Sequence, residues 1–160
     1  MARQARGADV PPPAALTIRP LADAEVSVVD ARLPLHRLGQ RGTYLVAWDG
    51  SEPVGHAFVA WAGTKLGVPE IQDVWVLPER RRGGIATALT LAAEDAARER
   101  GAERISLSVG IGNAPARDLY ATLGFADAGL APERVAGSIN LRGQDVEVDD
   151  VLVYLVKPLV

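Results

Sequence analysis

The sequence contains no cysteine, which excludes disulfides, thiolate metal sites and a cysteine nucleophile together and suits the cytoplasm. Aromatic residues are scarce, at 5% of the chain, so a core must rest on Val, Leu, Ile and Ala. No charge sign dominates: 17 basic and 20 acidic residues leave a formal net charge of −3, which gives no general reason to expect a nucleic-acid partner. No apolar run approaches the roughly 20 residues that span a bilayer, so no membrane partner is expected. Residues 1–15 carry Pro11-Pro12-Pro13 where a leader would have its apolar segment, so this stretch reads as a flexible tail and not a signal peptide. Two histidines far apart in sequence, His36 and His56, make a dedicated metal site improbable.

What is present is an ordinary globular composition, 48% hydrophobic and 23% charged over 160 residues, enough for one domain over 16–160 with one core. Leu16-Thr17-Ile18-Arg19-Pro20 alternates and stops at proline, as a short strand does. Asp23 to Leu33 has loosely helical spacing and ends before Pro34. Two β-rich runs, Thr43 to Trp48 and Pro53 to Trp61, flank an Asp49-Gly50 turn and predict a hairpin. A third, Glu70 to Leu77, extends it to an antiparallel meander.

From Ile85 to Arg100 the period changes. Ile85, Leu89, Ala92, Ala93 and Ala96 recur at helical spacing, and Gly101 fits the position just past the helix end. Ile105 to Val109 is again a strand, so a strand–helix–strand crossover predicts that 70–77 and 104–109 run parallel. A second helix spans Asn113 to Leu123, with Asn113 as its cap and Pro115 in its first turn. Arg134 to Leu141 and Val146 to Val156 form a last hairpin around Arg142-Gly143-Gln144. The order β-α-β-β-β-α-β-α-β-β describes a single mixed α/β domain.

The turn at 78–87 carries the first chemistry. It joins a strand to a helix N-terminus, whose unpaired N–H groups and positive dipole end suit a diphosphate. Glycine at 83 and 84 and alanine at 86 allow close backbone approach, and Arg80, Arg81 and Arg82 add positive charge. A tight loop with solvated arginines would have the same sequence, and no Gly-Lys-Ser/Thr or Gly-x-Gly-x-x-Gly pattern is present.

The context adds to this. Arg81-x-x-Gly84-x-Ala86 is similar to the Arg/Gln-x-x-Gly-x-Gly/Ala signature of the GNAT superfamily of N-acetyltransferases. The match continues through Val74-Trp75-Val76-Leu77-Pro78-Glu79 and Thr87-Ala88-Leu89. Asn113-x-x-Ala116-x-x-Leu119-Tyr120-x-x-x-Gly124-Phe125 resembles the second half of the same core. The resemblance implies a central, mostly antiparallel sheet flanked by helices, with one parallel strand pair that splays apart, and an acetyl-CoA-dependent enzyme that acetylates a primary amine in a ternary complex. It implies that Arg81, Arg82, Gly83, Gly84, Ile85, Ala86 and Thr87 hold the pyrophosphate. Val74 and Val76 on the central strand would pair with the pantetheine arm, and Asn113 would hydrogen-bond the same arm or simply cap its helix. Dimers are common in the family, so a homodimer is expected.

Tyr120 would protonate the departing thiolate, or else sit as a core residue beside Phe125. A base for the amine is open between Glu70 and Asp73, on opposite faces of the strand by period-2 alternation, and either carboxylate could instead be structural. His56 reads as a core or substrate-wall residue, and His36 as a loop residue of no special role. Glu133, Asp145, Glu147, Asp149 and Asp150 on the last hairpin form an acidic rim that could attract a cationic amine, though Arg134 and Arg142 interrupt it. A non-catalytic CoA sensor and a generic phosphate binder are the competing functions.

Overall fold

β-rich runs and proline stops set the strands of the sheet much where alternation predicts them. A computed structural model describes residues 16–159, so the tail expected over 1–15 lies outside the described residues. The strands are β1 (Leu16–Pro20), β2 (Thr43–Asp49), β3 (Glu52–Ala60), β4 (Glu70–Val76), β5 (Arg104–Gly110), β6 (Ala126–Asp127), β7 (Glu133–Leu141) and β8 (Gln144–Pro158). The helices are α1 (Val26–Asp30), α2 (Ile85–Glu99) and α3 (Ala114–Thr122). They form one sheet in the order β1-β2-β3-β4-β5-β8-β6, with β7 paired to β8. Only β4 and β5 run parallel, joined through α2. The expected mixed fold with one parallel pair is therefore present.

α2 is held by a row one turn apart, Ile85, Leu89, Ala93 and Ala97, all buried. Small residues in this row let the helix lie close to the sheet. Gly55 on β3 completes the fit, because a Cβ there would stand 3.0 Å from Ile85 Cγ2 and 3.2 Å from Leu89 Cδ1. Fully burying side chains such as Ile85 and Leu89 contributes about 1.5–3 kcal/mol each.

Two expectations shift. The helix over 23–33 shrinks to a 3₁₀ turn at Asp23–Glu25 and the five-residue α1. Valines at 26, 28 and 29 are indifferent helix formers. The Asp30 carboxylate also stops the helix, accepting the Leu35 amide at 3.1 Å and Arg142 from the β7–β8 turn at 2.5 Å. The core face of α2 is also rotated from the one expected, with Ala97 and Glu94 buried and Ala92 and Ala96 only half-buried. Glu94 is tolerated because Lys157 on β8 donates to it at 2.9 Å, with Arg98 a further 3.6 Å contact.

Candidate active site

The β4–β5 ladder is short. Register pairs are limited to Glu70 with Ser106 and Ile71 with Leu107, and Ser106 donates to the Pro69 carbonyl through its amide at 2.8 Å and its hydroxyl at 3.1 Å. Beyond that point β5 stays with β8, pairing Ser108 with Tyr154 and Gly110 with Leu152. β4 leaves it after a bulge opposite His56–Phe58, where Asp73 takes a left-handed φ of 50°. A cleft of about 1130 Å³ opens between the diverging strands, lined also by the start of α2 and by α3. Val74 and Val76 both lie on the open stretch of β4.

One end of the cleft is the N-terminus of α2. Gly84 caps the helix with φ of 81° and no side-chain hydrogen bond, and Arg82 is also left-handed at 66°. The first bond of the helix is Ala88 N to Gly84 O at 3.0 Å. The amides of Ile85, Ala86 and Thr87 precede it, and these residues line the cleft with Gly84. They are free donors at the positive end of a 15-residue helix, an arrangement that can hold an anion. A non-glycine residue in the left-handed region costs about 1–2 kcal/mol, and strain of this kind gathers at functional turns.

The three arginines divide. Arg80 is tied back to Asp49 at 2.8 Å and Glu52 at 3.4 Å, so it does not add a free charge as the sequence implied. Arg81 lies along the cleft, its Nε donating to the Val76 carbonyl at 3.0 Å and its guanidinium 5.2 Å from the Trp75 ring centroid. Arg82 is exposed at the mouth. Gly83 lies in the same turn, where a Cβ would stand 3.2 Å from the Arg80 carbonyl.

The two carboxylates do not face apart. Tyr44, Phe58 and Gln72 are register partners across β2, β3 and β4 and so share a face. Gln72 Nε2 donates to Glu70 Oε1 at 2.5 Å. Asp73 Oδ2 accepts the Tyr44 hydroxyl at 2.5 Å, which places Asp73 on that same side. One extra residue in the bulge resets the alternation, so the strict two-residue period fails here.

Their states differ as well. Asp73 accepts three donors: the Tyr44 hydroxyl, the His36 amide at 3.1 Å and His36 Nδ1 at 3.1 Å. His36 thus has a part the sequence did not reveal, fastening the segment after α1 to β4. Glu70 is 6% exposed, and its Oε2 is buried with no partner. A desolvated carboxylate oxygen without a donor is costly, and Glu94 Oε2 shares that condition in the core.

Tyr120 lines the cleft from α3, buried, with its ring edge-on to Phe125 at 5.8 Å. Burial raises its pKa, so the phenol stays protonated at neutral pH. Tyr120 is thus packed beside Phe125 and lines the cleft at the same time. Asn113 caps α3 by accepting the Ala116 amide at 3.3 Å and also lines the cleft. His56 is fully buried in β3, with Nε2 2.7 Å from the Pro34 carbonyl, and burial lowers its pKa.

The expected acidic rim is split between two faces, with Glu133 and Asp150 on the Tyr154 side of the hairpin. Register places Asp145, Glu147 and Asp149 on the face of β8 opposite to Tyr154. Glu133 is engaged by the Tyr154 hydroxyl at 2.8 Å and by Lys65 at 3.0 Å. Desolvation and the adjacent Glu133 push the Tyr154 pKa up to about 12. Among the described residues, no group of three or more His, Asp or Glu is arranged to hold a metal, and no helix is long and apolar enough to cross a membrane.

A strand-end glycine turn, a parallel pair that parts and a tyrosine on the next helix are the elements of a known architecture. The family model described as "Acetyltransferase (GNAT) family" matches residues 16–125. The chain belongs to the GNAT acetyltransferase family. A streptothricin acetyltransferase of Streptomyces lavendulae is 47% identical over 60 residues, 38% of this chain. That match spans about a third (32%) of the curated relative. Among solved structures, a nourseothricin acetyltransferase superposes with a TM-score of 0.68 at 21% identity, over 91% of this chain and 99% of that one. An IAA acetyltransferase from Bacillus cereus gives 0.67 at 20%, over 90% and 99%. A GNAT family acetyltransferase from Elizabethkingia anophelis, solved with acetyl-CoA bound, gives 0.65 at 17%, over 91% and 99%. At these identities the structures speak for the fold of this GNAT protein.

Proposed function

We propose that this GNAT protein moves the acetyl group of acetyl-CoA to the primary amine of an acceptor by direct attack in a ternary complex. One observation carries the reading: a single cleft is lined both by the residues whose free amides open α2 and by Glu70, one carboxylate oxygen of which is buried without a partner. The amides of Ile85, Ala86 and Thr87, with Gly83, Gly84, Arg81 and Arg82, hold the diphosphate. The open edge of β4 at Val74 and Val76 hydrogen-bonds the pantetheine arm, with Asn113 across the cleft. The cosubstrate supplies a thioester, an acyl group already activated toward amines.

The remaining chemistry is proton movement by this chain. Glu70 Oε2 accepts the proton that the amine must lose, the nitrogen–carbon bond forms, and the carbon–sulfur bond breaks. Tyr120 donates its hydroxyl proton to the departing sulfur. Asp73, saturated by three donors, positions the 34–37 segment instead of taking a proton. Thiol release from acetyl-CoA, measured across a panel of streptothricin, a polyamine, an aminoglycoside, a basic peptide and amino acids, tests the function. Cosubstrate binding with no release to any amine would leave a sensor, not an enzyme.

Two variants separate the roles. Tyr120→Phe keeps the ring against Phe125 and removes only the proton, so kcat should fall about 10- to 100-fold with acetyl-CoA affinity unchanged; wild-type turnover removes the acid role. Asp73→Asn should raise the acceptor KM several-fold and speed amide exchange over 34–37, leaving acetyl-CoA affinity intact. An equal loss of affinity for both substrates would instead place Asp73 on the cosubstrate side.

A further inference from the structure

We propose that the acceptor carries a carboxylate as well as its amine, and that Arg37 binds that carboxylate while the amine meets Glu70. The proposal rests on the reading of Glu70 as the partner of the amine. Arg37 lines the same cleft. Its backbone is fixed, since its amide donates to the Tyr44 hydroxyl at 2.7 Å, and that hydroxyl donates to Asp73. Its guanidinium, in contrast, makes no ion pair or hydrogen bond with the described residues, while Arg80 and Arg142 are each paired with carboxylates.

The neighbouring carboxylate is already engaged by other donors. Asp73 is saturated by Tyr44 and His36, and Arg142 of the β7–β8 turn is held by Asp30. A cation in a cleft with no internal partner is a site for an external anion, and a guanidinium favours a planar oxyanion held through two N–H bonds. The diphosphate is not that anion. Arg37 stands on the Tyr44 side of the sheet, whereas α2 packs on the Gly55 side, where its free amides begin.

The spacing limits the size of the acceptor. Asp73, which anchors the base of Arg37, is three residues from Glu70 along β4, about 10 Å of strand at most, and the arginine side chain can span part of that distance. A compact amino acid or a short peptide fits between the two charges. A polyamine would put a second cation beside Arg37, and the two would repel.

Matched acceptors test this with the full-length protein and acetyl-CoA: an amino acid, its carboxamide and its decarboxylated amine, with phosphoethanolamine and ethanolamine as a phosphate pair. The carboxylate should lower KM roughly tenfold or more relative to the carboxamide. Arg37→Gln should collapse that ratio toward one, and Arg37→Lys should restore part of it. Calorimetric binding of the same pairs in the presence of CoA should follow the same pattern without turnover. Equal treatment of acid and amide by the wild type, or a preference confined to the phosphate pair, overturns the proposal. So does an Arg37→Gln protein that weakens acid and amide alike. Absence of transfer to every amine would overturn the acetyl-transfer reading itself, which is a different result from transfer without discrimination.

Discussion

Gly84→Glu is expected to weaken acetyl-CoA binding by at least a hundredfold while the protein still folds, as read by calorimetry beside a thermal melt. Gly84 is left-handed at φ of 81° and caps α2 without a side-chain bond. A side chain there costs about 1–2 kcal/mol of backbone strain, which the turn can bear because Arg82 already adopts φ of 66° beside it. A glutamate carboxylate would also settle on the free amides of Ile85, Ala86 and Thr87, where the helix dipole favours it by about 0.3–1 kcal/mol. That partly offsets the strain and blocks the diphosphate with a tethered anion. Gly84→Asn is the control, because asparagine tolerates the left-handed conformation and carries no charge. Its affinity should fall much less. Unchanged affinity in a folded Gly84→Glu protein would remove the diphosphate from this turn.

What the sequence made legible was local. The glycine turn, the asparagine cap of α3 and the helix-ending, left-handed Gly101 each depend on a few adjacent residues whose conformational needs are written in their side chains. The parallel β4–β5 pair followed from chain order and crossover handedness. What failed depended on contacts distant in sequence. The bulge at Asp73 adds one residue to β4 and turns that carboxylate to the side of Glu70, an event with no mark in the alternation of 70–77. Glu94 was unreadable as a core residue until Lys157, 63 positions away, was beside it. His36 looked like a loop residue and Arg37 drew no reading, because the groups that fix them, Asp73 and Tyr44, belong to other strands. The helix-terminus end of the cleft was therefore visible early, and the arrangement of Glu70, Asp73 and Arg37 emerged only from tertiary structure.

Glu70→Gln should lower kcat/KM for the acceptor by about 10²- to 10⁴-fold, the usual weight of general-base catalysis, and should raise thermal stability or leave it unchanged. The two signs together are diagnostic. In the folded protein Glu70 Oε1 is satisfied by Gln72, but Oε2 is buried without a donor, so the fold carries a desolvated oxygen that none of the described residues compensates. A neutral amide of nearly the same shape is cheaper to bury there than a carboxylate. If Glu70 were a structural carboxylate, its loss would instead lower the melting temperature, as breaking a buried polar contact does. The pH profile supplies the independent reading. If Glu70 takes the proton of the amine, the pH–rate profile of the glutamine variant should differ in shape from that of the wild type. An unaltered profile would pass the proton to Asp73 or to water. Reduced turnover in a more stable protein would mean that the unpaired oxygen of Glu70 is held in reserve for the amine and not for the fold.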